Sequence, residues 1–362
     1  MSCILFMGDY MVGILLDSKY RESLWCKSLY ESLTERLRHK RIHFCEVFDT
    51  IEKDLDAIFI IASDREWTTS AITQLNQNGI KPILICNQHE KLSGCIYSCV
   101  CSDINASMKN LLDTLKTKDK SRIALYGINT ESISDMSRVD SLLNWRAEYF
   151  EAMNVFNNNG SLQNCFDEFY AHIKEYDAAI CANDFAAVSL VRKLKEVASE
   201  QLEDFFIISC AQTQISNYYR NHILSLNMNF DQYGKAAVYV YNALKKHPYL
   251  SGITARVLWS LDSNDITENR KSFSLDITSS EDAFYKDEEL VEMMIVDKIL
   301  ESSDEVEKKI IDCLLNDNTY EQIAEKCFLT VGGVKYRINK IVSGCSVADK
   351  TRMISLLKKY IE

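Results

Sequence analysis

The chain has 362 residues, 47% of them hydrophobic and 26% charged, the composition of a soluble globular protein with room for two or three domains and sizeable cores. A net charge of -11 excludes a generic nucleic-acid or membrane-surface binder, so any role in anion binding is local. No apolar run approaches the length of a membrane-spanning helix, and the 13 cysteines, in no CxxC or Cys/His spacing and with no signal peptide before them, point to a reducing cytosol. Cys99 and Cys101 alternate along "YSCVCS" as packed strand residues do.

From Tyr10 to about Ala211 short apolar runs alternate with longer amphipathic ones. "MVGILLDS" reads as a strand, and "RESLWCKSLYESLTERLRH" as a helix with Leu24, Leu29, Leu33 and Leu37 on one face. "IHFCEVF" and "LDAIFIIAS" are strands. "WTTSAITQLNQNG" is a helix stopped by Gly79, followed by the strand "KPILICN". After "YSCVCS" and the helical "INASMKNLLDTLKT" the pattern restarts near Ser121 with the strand "RIALYGIN", then one long helix, "ISDMSRVDSLLNWRAEYFEAMNVF". "DAAICAND", "FAAVSLVRKLKEVASE" and "FFIISCA" continue the alternation. A helix over Asp231–His247 and the strand "GITARVLWSL" are expected to finish the second half. This order predicts two α/β lobes with parallel sheets and a cleft between them, and ligands in such sheets bind beyond the carboxyl ends of the strands.

The polar stretch Asn264–Asp287 reads as a linker, and everything after it is helical: Glu288–Leu300, Asp304–Leu315, Tyr320–Cys327, Val331–Val342 and Val347–Ile361. The expected organisation is a bilobed domain over 10–263, a linker and connecting helix over 264–302, and a small all-α helix-turn-helix domain over 303–362. In "DNTYEQIAEKCFLTVGGVKYRINKIVSG" the small Ala324 suits a close helix crossing, "CFLT" is the turn, and Thr330 is placed to cap the next helix. Val334, Ile338 and Ile341 form one stripe for burial, which leaves Lys335, Tyr336, Arg337, Asn339 and Lys340 facing outward with no acid among them. From Lys326 to Ile361 eight basic residues stand against Asp349 alone, so this segment carries +7 and the remainder -18. A basic patch confined to one helical module is what a DNA-binding domain needs.

Residues from about Asp304 to Ile361 resemble the LuxR-type (NarL-type) DNA-binding module, through "EKKIIDCLL", "TYEQIAEKCFLTVGGVKYRINKIVSG" and "SVADKTRMI". The resemblance implies that the third helix enters the major groove of double-stranded DNA and that the fourth helps form a homodimer. Lys335, Tyr336 and Asn339 would then face bases, and Thr330, Arg337 and Lys340 phosphates. Gly333 stands where that family commonly has Thr or Ser, so a first-turn contact is missing or replaced by backbone amides.

In "ICANDFAAVSLVRKLKE" a strand delivers Asn183 and Asp184 to a helix start. Either one caps the helix while the other meets a hydroxyl-rich ligand, or both serve the cap. With "VGILLDS", "DAIFIIAS", "GIKPILICNQ", "RIALYGIN" and "NMNFDQYGKAAVYVYNAL" in that order, Val12 to Asp262 resembles the periplasmic-binding-protein-like sensor domain of LacI/GalR-type regulators. That resemblance implies a pocket for a small effector lined by Tyr20, Trp25, Ser63, Asp64, Asn87, Asn129, Arg138, Asn183 and Asp184. Two departures stand out. Ser209, Cys210, Ala211 and Gln212 replace the family's Gly-aromatic-Asp-Asp, which removes an acidic ligand contact, and its N-terminal helix-turn-helix is absent.

No glycine-rich phosphate loop is present, and the six histidines sit in no metal spacing and beside no nucleophile motif, so no catalytic residue, metal or cofactor is expected. The sequence therefore predicts a cytoplasmic, effector-responsive DNA-binding regulator. The alternatives are a cytoplasmic sugar-binding protein and an α/β enzyme, each with C-terminal helices that mediate protein contacts.

Overall fold

The computed structural model describes residues 11–19, 21, 24–48, 55–62, 64–86, 92–210, 213–261, 286–345 and 347–361. In chain order the elements begin with β1 (Met11–Leu16), α1 (Leu24–His39), β2 (His43–Val47), β3 (Ala57–Ile61), α2 (Arg65–Gln77), β4 (Lys81–Ile85), β5 (Ser98–Ser102) and α3 (Ile104–Thr117). Next come β6 (Arg122–Ile128), α4 (Ile133–Asn144), α5 (Arg146–Tyr149), β7 (Ala152–Asn157), α6 (Leu162–Tyr170), β8 (Ala178–Cys181), α7 (Asp184–Val197), α8 (Ser199–Asp204) and β9 (Phe206–Ser209). After a 3₁₀ turn at Ile215–Tyr219 follow β10 (Ile223–Asn227), α9 (Phe230–Lys246), β11 (Thr254–Val257) and β12 (Ser260–Leu261). The remainder is helical: α10 (Glu288–Ser302), α11 (Glu305–Leu315), α12 (Tyr320–Cys327), α13 (Val331–Gly344) and α14 (Lys350–Ile361).

These elements form two compact units. The first holds a sheet in the order β11-β5-β4-β3-β1-β2, parallel throughout. Every residue of β3 and β5 is buried, as parallel strands covered on both faces must be. One face packs on α1 and α9 through Leu29, Leu33, Leu37, Tyr233 and Tyr241, and the other on α2 through Ile72 and Leu75. Leu24 joins this predicted stripe in sequence, but its side chain lies outside the described residues.

Helix α9 and strand β11 belong to this first unit, not to the second half where the alternation placed them. The chain crosses back because the face of α9 fits α1. A Cβ on Gly234 would lie 2.3 Å from Ser32 Oγ, a spacing only glycine permits. The Tyr233 hydroxyl also shares a 2.5 Å hydrogen bond with Ser102 at the end of β5.

The second unit holds a sheet in the order β12-β10-β9-β8-β6-β7. The expected long helix over Ile133–Phe156 breaks at Trp145, and from Ala152 onward it is instead strand β7, parallel to β6. Burial drives that difference. Phe156 fills one face of the sheet beside Phe169 and Tyr176, and Met153, at the opposite parity of the strand, is also buried, a demand that local periodicity does not reveal. Helix α6, which carries Phe166 and Phe169, was not expected at all. Gly127, in β6 at φ +71°, lets α7 approach so closely that a Cβ would stand 2.6 Å from Ala186 Cβ.

The C-terminal helices belong to this second unit, and one apolar core runs from Tyr126, Phe169 and Leu190 through Met293, Val296 and Ile299 of α10 to Ile310, Ile338 and Leu356. Asp287 caps α10 by accepting from Leu290 N at 3.1 Å and also accepts from Leu162 N. Glu292 of α10 takes bonds from Arg352, Lys359 and Tyr360, fixing α14. Except for Lys286 and Asp287, the polar stretch read as a linker lies outside the described residues.

Candidate effector site and nucleic-acid interface

In the first unit β1 is followed directly by Asp17, which is nearly fully buried. Its Oδ1 accepts from Lys19 N at 3.0 Å, and Oδ2 has no hydrogen-bond partner among the described residues. Burial raises this carboxyl above the usual carboxylate range, and the charge of Asp64 adds to the shift. Asp64 itself caps α2, accepting from Trp67 N at 2.9 Å, with Lys19 Nζ at 3.7 Å. Trp25 is half-buried and packs against the α1–α9 core. Tyr20, Ser63 and Asn87 lie outside the described residues.

In the second unit the polar residues gather where the strands end. Asn129 N donates to Asp135 Oδ2 at 3.1 Å, and Asn129 Oδ1 accepts from Glu131 N at 3.0 Å. Arg138 is buried, pairs with Asp135 and donates to Ala182 O at 2.9 Å and Ser134 Oγ at 3.0 Å. Its guanidinium thus ties α4 to the end of β8, so that Asn129, Arg138 and Asn183 share one rim. Asn183 caps α7 by accepting from Ala186 N at 3.0 Å.

Asp184 is 0% exposed, and its Oδ2 accepts from Thr213 N at 2.6 Å and Thr213 Oγ1 at 2.8 Å. Its Oδ1 has no partner among the described residues. Sequence reasoning missed Asp135, in the first turn of α4, and Asn157, Asn158, Ser225 and Asn227, which lie at or near the carboxyl ends of β7 and β10. Asn157 Oδ1 and Asn158 Nδ2 are buried and unpartnered among the described residues. The signal was present: "VFNNN" and "LSLN" are apolar runs that close on amides.

The segment read as a helix-turn-helix forms helices α12 and α13, with the cap and the buried stripe at the residues the sequence points to. Thr330 caps α13 by accepting from Gly333 N at 3.1 Å, and Val334, Ile338 and Ile341 are its buried residues. Thr319 and Gln322 form a capping box on α12. The outward cations divide into two sets. Arg337 donates to Asp304 Oδ2 at 2.7 Å and lies 3.4 Å from Glu307 Oε1, and Lys340 donates to Glu307 Oε1 at 2.8 Å. These pairs raise both cations above their usual ranges, and the cap bond to Glu307 N together with Arg337 lowers Asp304. Lys335, Tyr336 and Asn339 are exposed, Tyr336 at 70%, and Lys335 Nζ sits 5.5 Å from the Tyr320 ring centroid. The surface open to a partner is thus Lys335, Tyr336 and Asn339, with Arg337 and Lys340 held by acids of α11 and its cap.

No family model matches the chain. No curated protein matches it either. Solved structures do. An ABC-transporter periplasmic solute-binding protein from Actinobacillus succinogenes with bound D-allose aligns over 71% of this chain and 98% of its own, at 13% identity and a TM-score of 0.51. A LacI-family transcriptional regulator from Arthrobacter sp. FB24 aligns over 72% and 100%, at 14% identity and a TM-score of 0.50. The two-lobed part has the fold of periplasmic solute-binding proteins and LacI-family regulators. Among the described residues no cluster of three His, Cys, Asp or Glu could hold a metal ion, and no helix is long and apolar enough to cross a membrane.

Proposed function

We propose that this protein is a cytoplasmic transcriptional regulator. Its two-lobed part binds a small, polar, sugar-like effector at the carboxyl ends of its strands, and its C-terminal helices bind double-stranded DNA as a homodimer. The observation that carries the reading is α13: a capped helix with a buried stripe and an exposed face of Lys335, Tyr336 and Asn339, in a basic segment of an otherwise acidic chain. The polar rim of Asn129, Asn183, Asp135 and Arg138 supports the effector half, since amides and a guanidinium–carboxylate pair suit hydroxyl recognition. Sugars bound in fold neighbours agree with that chemistry. The effector acts by population shift, stabilising one arrangement of the protein over another.

Lys335→Ala with Asn339→Ala tests the DNA half in an anisotropy titration against duplex from the chain's own upstream region. The expected result is a weaker affinity and a salt slope smaller by about one. Unchanged affinity and slope would remove α13 from the interface. A solute-binding protein that reads no DNA is the second reading, favoured by the shared fold, and parent protein that leaves the duplex unbound at low salt selects it.

A further inference from the structure

The segment from Thr213 to Tyr219 is gripped at three points within seven residues. At its start, Thr213 donates through both N and Oγ1 to Asp184, the first residue of α7 and a member of the strand-end set. Two residues on, Ile215 N donates to Asp297 Oδ1 at 2.9 Å, and Asp297 lies on α10. At its end, the Tyr219 hydroxyl donates to Tyr360 O in α14 at 2.5 Å. Asp184, Ile215 and Asp297 are each at most 1% exposed, so no bulk water replaces a bond lost there. The short 3₁₀ turn between the anchors has little slack to absorb a displacement. A shift at the start of α7 must be taken up by α10 and α14, and both pack in the same core as α11–α13.

We propose that Thr213–Tyr219 is the joint that energetically couples the strand-end rim of the second unit to the helix-turn-helix bundle. Asp184 and Asp297 are its positioning residues, and neither needs to touch effector or DNA. The regulatory consequence rests on the function proposed above: effector contact at the rim reaches the DNA-reading helices through this joint, not through a flexible tether.

Hydrogen–deuterium exchange with mass spectrometry on the full chain tests the joint without DNA or effector, so its failure and that of the DNA titration are separable. Thr213→Val removes the Oγ1 donor and keeps the backbone bond. Exchange in peptides spanning Glu305–Gly344 is expected to speed about fivefold, the equivalent of one lost buried hydrogen bond. Thr213→Ser keeps the donor and should match the parent. Because coupling is reciprocal, Tyr219→Phe at the far anchor should speed exchange in peptides covering Asn183–Ser189 to a similar degree. The joint is overturned if either Thr213→Val or Tyr219→Phe changes only its own segment, with the distant peptides within about twofold of the parent, or if Thr213→Ser accelerates exchange as much as valine does.

Discussion

Asp297→Asn should change how stability depends on pH. Asp297 lies 1% exposed on α10, and its carboxyl is pushed up to about 8, first by burial and then by the charges of Glu301 and Asp184; the bond from Ile215 N acts the other way. An unfolded aspartate loses its proton near 4, whereas the folded protein keeps this one until about 8. The raised folded value means that the contribution is fully present below about 4 and is lost as pH rises through the interval, at about 1.4 kcal/mol per pH unit. Between pH 5.5 and 7.5 the parent therefore loses about 2–3 kcal/mol through this group. Asparagine does not titrate, and its Oδ1 can still accept from Ile215 N. Urea unfolding of parent and variant at both pH values isolates the difference, because every other group titrates alike in the two proteins. The variant should gain on the parent by about 2–3 kcal/mol from pH 5.5 to 7.5. A gap that does not move with pH refutes the reasoning.

Gly234→Ala would drive a Cβ to 2.3 Å from Ser32 Oγ and 2.7 Å from Ser32 O, and should cost about 1–3 kcal/mol in urea unfolding. Adding Ser32→Ala should recover only part, since the backbone oxygen remains. Arg138→Ala strands the buried Asp135 carboxylate and should destabilise by about 3 kcal/mol, with Arg138→Lys losing less; equal losses would mean that charge pairing is not what holds the rim. Phe328 sits at φ 55° with 93% exposure, so Phe328→Gly should raise stability by about 1 kcal/mol, read as a higher melting temperature.

Much of α12 and α13 was legible in sequence because their determinants are local. Thr330 and Gly333 are three residues apart, and Val334, Ile338 and Ile341 repeat at helical spacing. The partners of Arg337 and Lys340 were not legible, since Asp304 and Glu307 lie about thirty residues upstream and meet them only through helix packing. The same limit explains the strands. "EAMNVF" continues a helical rhythm, and only the open edge of β6 makes it a strand. The return of α9 to the first sheet is decided by Gly234 against Ser32, across about two hundred residues. At the rim, the position of Asn183 and Asp184 at a strand end could be read from the sequence. That Asn183 caps while Asp184 faces Thr213 depends on a loop from a neighbouring strand.

The shared core has a consequence for how such a protein can be divided. Were the C-terminal helices a head on a string, a shortened chain ending before Asp287 would remain well behaved and the head could be grafted elsewhere. Here Leu290, Met293, Val296 and Ile299 lie in the same core as α7, so that cut would bare an apolar face on one piece and a matching face on the other. The Arg192 and Lys193 side chains would also lose Glu289. The two functions proposed for this chain are thus welded, and exchange of one for another would require redesigning both sides of the seam.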